Sequence, residues 1–372
     1  MATGNLARPL ESTSPENKRG AIAHPATVRG GILWLYAISI TMVHLLALLA
    51  FVPLFFSWTG LILAVGLTPF FGQSITICYH RLLAHRSFKT PKWFERLWVL
   101  VSLCCLQDTP AKWVANHRLH HSESDQQPDP HSPFVNFIWS HIGWLYFRND
   151  YTRSAGMLQK YAKDILQDPF YMYLEKTWAG PMIYLAHVVL FYVVGFITGY
   201  FIEGSLYAGF LFGMSLMIWG ALVRTVFVWH ITWSVNSLTH IFGYRTYNTN
   251  EGSRNNLLVT LLTFGEGWHN NHHYDQTSAS MWHRWWEVDM NYIFIRGLEK
   301  IGLARNVILP KHVRSAKRKE QVQSMLIDRI SPDATHSPET LSYRNDAVKS
   351  KIENSDNGSE MAMHGSSTKT RV

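Results

Sequence analysis

Four stretches of this chain carry almost no charge, and each is long enough to cross a bilayer. Residues 31–56 and 57–79 contain no Asp, Glu, Lys or Arg, nor does 177–202, and 204–230 contains only Arg224. Roughly 20 apolar residues span a hydrocarbon core at 1.5 Å per residue, and in lipid a helix satisfies its own backbone. Core helices of a large soluble protein would carry a polar face, which these windows lack. The expected fold is an all-α membrane protein with four transmembrane helices in two hairpins, at about 32–56, 59–79, 180–202 and 205–230.

The charge is displaced to the remaining segments. Of 34 Lys and Arg residues, 33 lie in 1–30, 80–176 and 231–372, and none lies near Trp58 or Glu203 at the two hairpin tips. Cytoplasmic flanks collect Lys and Arg, so both termini and the central segment are expected on the cytoplasmic side, and the net charge of +8 suits anionic lipid headgroups. The basic residues are spread along the chain with no nucleic-acid motif, so no nucleic-acid partner is expected. Arg224, near the inner end of the fourth helix, is expected to snorkel to the interface. Residues 96–107 are apolar but too short to span, and are expected to lie on or dip into the membrane face.

Residues 1–30 lack an apolar run and are expected to be a disordered cytoplasmic segment rather than a signal peptide. Residues 311–372 are polar, with few aromatics, and are expected to be a disordered cytoplasmic tail. That leaves 31–310 as the membrane domain. Its three cysteines, Cys78, Cys104 and Cys105, sit in apolar runs and two are adjacent, which excludes a disulfide framework or a four-thiolate metal site.

Histidine carries the chemical signal: there are 19 in 372 residues. Nine fall into four groups in the cytoplasmic segments or at inner helix ends: His80 and His85; His117, His120 and His121; His240, four residues after Asn236; and His269, His272 and His273. Residues three and four apart share a helix face, so each HxxHH set projects together. His80 and His85 are five apart, roughly 140° around an ideal α-helix, and are expected to reach different partners. Nine imidazoles exceed the four to six positions of one ion, so two ions are expected. An all-nitrogen set suits iron or zinc rather than calcium or magnesium. Isolated histidines such as His44, His187 and His230 read as packed or hydrogen-bonded helix residues.

The boxes HRLLAH (80–85), HRLHH (117–121) and HNNHH (269–273), with SFKTP after the first, PDPH at 128–131, SHIGW at 140–144 and GEGW before the third, resemble the membrane fatty-acid desaturases of the stearoyl-CoA and delta-9 branch over roughly residues 35–310. The resemblance implies a cytoplasmic helical cap holding a di-iron site. Its nine histidines would be shared five and four, and Asn236 would hold a water on the less-liganded metal. It implies O2-dependent insertion of a cis double bond, at delta-9, into a saturated long-chain acyl group. Two electrons would come from an external donor, cytochrome b5 or a ferredoxin-type protein, drawn to a basic surface. Trp233 and Arg148 match substrate-contact positions.

The family's basic carrier-binding surface is diluted here to Ala115, Asn116, Asn149 and Asp108. Acyl-CoA is placed first as carrier, with glycerolipid or carrier protein behind it. Asp129, Pro130 and His131 are expected to fix the loop after the second box, and His141 and Glu266 to orient ligands. Trp268, Trp282, Trp285 and Trp286 read as interfacial anchors or packing. A histidine-box hydroxylase is the nearest rival, disfavoured by the first-box spacing and the Asn236–His240 element. A metal transporter would place its ligands near the midplane of broken helices rather than beyond the inner helix ends.

Overall fold

The computed structural model describes residues 21–330. Among these, four helical segments have the length and hydropathy to cross a membrane: Trp34–Phe51, Trp58–Ala84, Ala179–Glu203 and Leu206–His240. Their outward side chains remain apolar, with Phe51, Ile62, Phe201 and Ile202 all more than 60% exposed. Such surface suits contact with lipid.

The first span is α1 (Trp34–Ala47), continued by a 3₁₀ turn to Phe51. It ends earlier than expected because Val52 is extended before Pro53. Helix α2 (Trp58–Gln73) is capped by Ser57, whose hydroxyl accepts from Gly60 N, and runs on without a break as a π-helix over Ser74–Ala84. A layer of shorter helices follows. Helix α3 (Lys92–Leu103) buries Trp98, Val99 and Leu103 and exposes Trp93 and Leu97, as suits a helix lying on the membrane face. Helix α4 (Pro110–Glu123) starts at the Thr109 cap with Pro110 in its first turn, where a missing N–H costs nothing.

Helices α5 (Ala179–Glu203) and α6 (Leu206–Leu216) form a tight hairpin through Gly204, left-handed at φ 63°, and the Ser205 cap. Glycines let their backbones touch: a Cβ on Gly195 would stand 2.8 Å from Gly213 Cα. The fourth span continues through a π-turn at Met217–Val223 into α7 (Arg224–Ser237) and a 3₁₀ turn ending at His240. Short helices α8 (Leu257–Thr263), α9 (His269–Tyr274) and α10 (Met290–Lys300) complete the unit that ends at Pro310. Helix α11 (Lys311–Ile330) opens a separate unit.

Several expectations need correction. Residues 1–20 and 331–372 lie outside the described residues, but 21–30 are ordered: Ile22 N donates to Phe134 O, and β1 (Val28–Ile32) pairs antiparallel with β2 (Phe147–Asn149). A two-strand ribbon closed across so many residues has no local signature. Residues 311–330 form a helix, not a disordered start to the tail, being rich in strong helix formers. Arg224 does not snorkel. It is fully buried, its guanidinium 3.7 Å from the Phe71 ring centroid, donating to Cys104 O at 3.2 Å and lying 3.1 Å from His187 Nε2.

Candidate metal centre

The π-helix at the end of α2 decides the geometry of the first box. Its i→i+5 bonds, among them His85 N to His80 O at 3.0 Å, widen the turn so that residues five apart come to one side. His80 and His85 therefore do not diverge: their ring centroids lie 4.8 Å apart. Helix α4 supplies His117, His120 and His121, α9 supplies His269, His272 and His273, and the turn after α7 supplies His240.

Together they form two groups whose ligand atoms lie within 4.8 Å of one another. One holds His80, His85, His117, His121 and His272, and the other His120, His240, His269 and His273. Each HxxHH helix straddles both groups, since His120 and His272 each turn to the opposite group from their two box partners.

The ring nitrogens converge closely enough to ligate a metal ion. His80 Nδ1 donates to Glu266 Oε2 at 2.5 Å, His120 Nδ1 to Asp129 Oδ2 at 3.0 Å and His240 Nδ1 to Asp125 Oδ2 at 2.9 Å. Those bonds fix the tautomer and leave each Nε2 with a lone pair. Yet His80 Nε2 stands 3.0 Å from His272 Nε2, and His240 Nε2 stands 3.1 Å from His269 Nε2. Buried lone pairs gathered at such distances call for a cation between them, so the donor set fits two metal ions.

Burial, reinforced by the neighbouring imidazoles, pushes His85, His117, His121, His269, His272 and His273 well below the ordinary histidine range, so they stand neutral and ready to ligate. The carboxylates behind them stay charged. Burial alone would raise Glu266, but the Arg81 and His80 charges and hydrogen bonds outweigh it and bring it down to about 2. Asp125 likewise falls below the carboxylate range, as His240 outweighs burial.

Two arginines inside the boxes lock this arrangement. Arg81 is 1% exposed and bridges Glu266 (2.7 Å), Asp289 (2.7 Å) and Ala279 O (2.8 Å), which ties the first box to the third. Arg118 donates to Leu83 O, Ala84 O and Tyr161 O and forks onto Asp164, so it caps the last carbonyls of the π-helix. Gly265 permits the chain to pass Asp289: its φ is +136°, and a Cβ there would meet Asp289 Oδ1 at 2.4 Å.

Two cavities flank the groups. The inner one is lined by His80, His117, His120 and His269 and reaches Thr68 and Gly72 on α2. The outer one, about 710 Å³, runs from Asp108, Lys112 and Arg153 inward past Trp233. Trp113, His117, Thr232 and Asn236 line both, so the two cavities meet the same four residues beside the histidines.

Trp233 and Asn236 are thus at the site, whereas Arg148 lines neither cavity and pairs with Asp150 at 2.8 Å. Of the diluted surface, Asp108 and Asn116 line the outer cavity, Ala115 is buried in the core, and Asn149 caps its own turn. Asp129 does hold its loop through Asp125 N and His131 N, while also orienting His120. His131 packs on the His120 ring. His141 is not placed behind a ligand. It joins a chain running Ser237, His141, His230, His44 and Ile40 O, with every link near 3 Å, so His44 and His230 are hydrogen-bonded residues as expected. His187 meets Arg224. Trp268 donates to Val288 O, Trp282 is half-buried, and Trp285 and Trp286 are exposed.

Residues 56–306 match the family model described as fatty acid desaturase. The chain belongs to the fatty acid desaturase family. It is 40% identical over 286 residues to the sn-1 stearoyl-lipid 9-desaturase of Synechocystis sp., covering 77% of this chain and 83% of that protein. To the sn-1 stearoyl-lipid 9-desaturase of Anabaena variabilis it is 41% identical over 281 residues, covering 75% and 94%. To the icosanoyl-CoA 5-desaturase of Limnanthes douglasii it is 37% identical over 283, covering 76% and 74%. This desaturase therefore acts on a fatty acyl substrate.

Proposed function

We propose that this desaturase inserts a cis double bond at delta-9 of a saturated long-chain acyl group: the acyl chain, O2, two electrons and two protons give the unsaturated chain and two waters. The observation that carries this reading is the pair of histidine groups, five and four, beside a cavity of about 710 Å³ that His117, Thr232 and Asn236 line. Two irons held there would supply the O2 activation that an unactivated C–H bond demands. Zinc suits the nitrogen donors equally but is redox-inert.

The chain's own part is positional. Trp113, Thr232 and Asn236, which line both cavities, would hold an acyl C–C bond against the metals, and Asn236 would hold a water there. The carboxylates behind His80, His120 and His240 keep those rings aimed. Electrons come from an external donor, cytochrome b5 or a ferredoxin-type protein. The site and both termini face the cytoplasm.

The carrier we favour is a glycerolipid rather than the CoA thioester that the sequence places first. The cyanobacterial relatives are named for lipid-linked stearoyl chains. Expression in a host lacking its own desaturase tests the reaction. The expected fatty acids carry a cis-delta-9 bond, and a hydroxylated chain or a bond elsewhere overturns the reading.

A further inference from the structure

Helix α1 makes polar contacts on one side, where its Thr41 hydroxyl lies 3.1 Å from Tyr146 Oη and its His44 ring 3.1 Å from His230 on α7. On the side toward α5 it lines the outer cavity with two neighbouring stripes, Tyr36, Ile40 and Val43 facing in, and Leu35, Ser39 and Met42 at the edge. Leu35 and Met42 are 52% and 46% exposed although they line the cavity. Across the gap, Trp178 and Pro181 at the start of α5 are likewise both cavity-lining and exposed, Trp178 by 65%. A cavity whose rim on two membrane spans faces lipid opens sideways into the bilayer. Its floor leads to Trp233, Thr232 and His117.

The lining also holds cations. Arg153 sits with its guanidinium 4.0 Å from the Tyr36 ring centroid, and Lys176 is exposed. Cations in the lining of a largely apolar cavity suit a lipid phosphate, with its diacylglycerol left in the membrane.

We propose that the gap between α1 and α5 is a lateral portal, through which an acyl chain still esterified to a bilayer glycerophospholipid slides into the active-site path. This rests on the glycerolipid reading above. Such a chain never crosses water, so its apolar surface stays buried throughout.

A reversible plug tests it. The full-length iron-loaded enzyme carrying Ser39→Cys is placed in vesicles of 1-stearoyl-2-oleoyl-phosphatidylglycerol with a reduced ferredoxin-type donor. It is assayed before modification with benzyl methanethiosulfonate, after it, and after release by dithiothreitol. The unsubstituted protein, with its half-buried Cys104, is treated in parallel. The plug is expected to cut lipid desaturation at least tenfold, with recovery on release. Pro181→Cys on the opposite wall repeats the test should the first variant fail to fold. A plugged enzyme that keeps at least half its rate on the lipid overturns the portal and leaves the glycerolipid reading standing. An unplugged enzyme that converts added stearoyl-CoA and ignores the vesicle lipid overturns that reading, and the portal with it.

Discussion

At the scale of single residues, the ligands and the groups behind them have separable roles. His120→Ala and His269→Ala each remove an imidazole from the four-histidine group, where few ligands remain to compensate. Both variants are expected to abolish desaturation and to bind clearly less than two irons per chain by elemental analysis. Glu266→Gln keeps every ligand and takes the charge from behind His80 and Arg81. Loss of such a partner typically costs about 10- to 100-fold in metal affinity or activity, and a titration of iron into the apo-protein would show whether affinity falls by that order. A second residue-scale effect concerns acid. Burial would raise the Asp164 carboxyl, yet the forked hydrogen bonds and charge of Arg118, with Arg86 beside them, hold it below the ordinary range. Its stabilisation is therefore complete above the unfolded value of about 3.9 and is lost as pH falls through the lower folded value. Thermal melts should show wild type above Asp164→Asn at pH 6, with the gap closing below pH 4. A gap independent of pH would refute the ion pair's part.

At the scale of elements, what could be read from sequence depended on whether the signal was local. The spans were legible because missing charge is visible in any window, and the HxxHH sets because their spacing matches an α-helix. The π-turn was not: nothing in Ser74–Ala84 announces i→i+5 bonding, so an α-helical wheel sent His85 away from His80 when the wider turn brings them together. The roles of Arg118 and Arg81 are not legible either, because an arginine inside a histidine box has no special neighbours in sequence. Their carbonyl and carboxylate partners come from distant segments. Glycine packing in the α5–α6 hairpin gives an element-scale prediction. A methyl on Gly195 would press on Gly213 Cα and Phe212 O at 2.8 Å, whereas one on Gly66 meets nothing within 4 Å. Gly195→Ala should lower stability by about 1–3 kcal/mol, as overpacking does, while Gly66→Ala should be neutral or slightly stabilising. Iron content should be unchanged in both, since neither glycine touches a histidine group. Equal melting temperatures for the two variants would show that the hairpin is not held by close backbone contact.

At the scale of the whole molecule, the distribution of charge and the placement of the histidines make one statement about sidedness. The histidine groups are built from the ends of α2 and α7 together with α4 and α9, and the basic segments adjoin those same ends. The opposite ends, at Trp58 and Glu203, have no basic residue nearby. In the function proposed above a donor protein would deliver electrons from the aqueous phase, so the end with the histidine groups is the end it would have to reach. Positive-inside bias then predicts that this end faces the cytoplasm. Trp58 is 71% exposed at the first tip and Trp285 is 83% exposed beyond the third histidine box, so cysteines at these two positions are accessible reporters. In sealed cells, a membrane-impermeant maleimide applied from outside should label Trp58→Cys and leave Trp285→Cys untouched until the membrane is opened. The reverse pattern would place the metal groups on the outer face. A cytoplasmic electron donor could not then reach them, and the proposed electron supply would fail together with the topology.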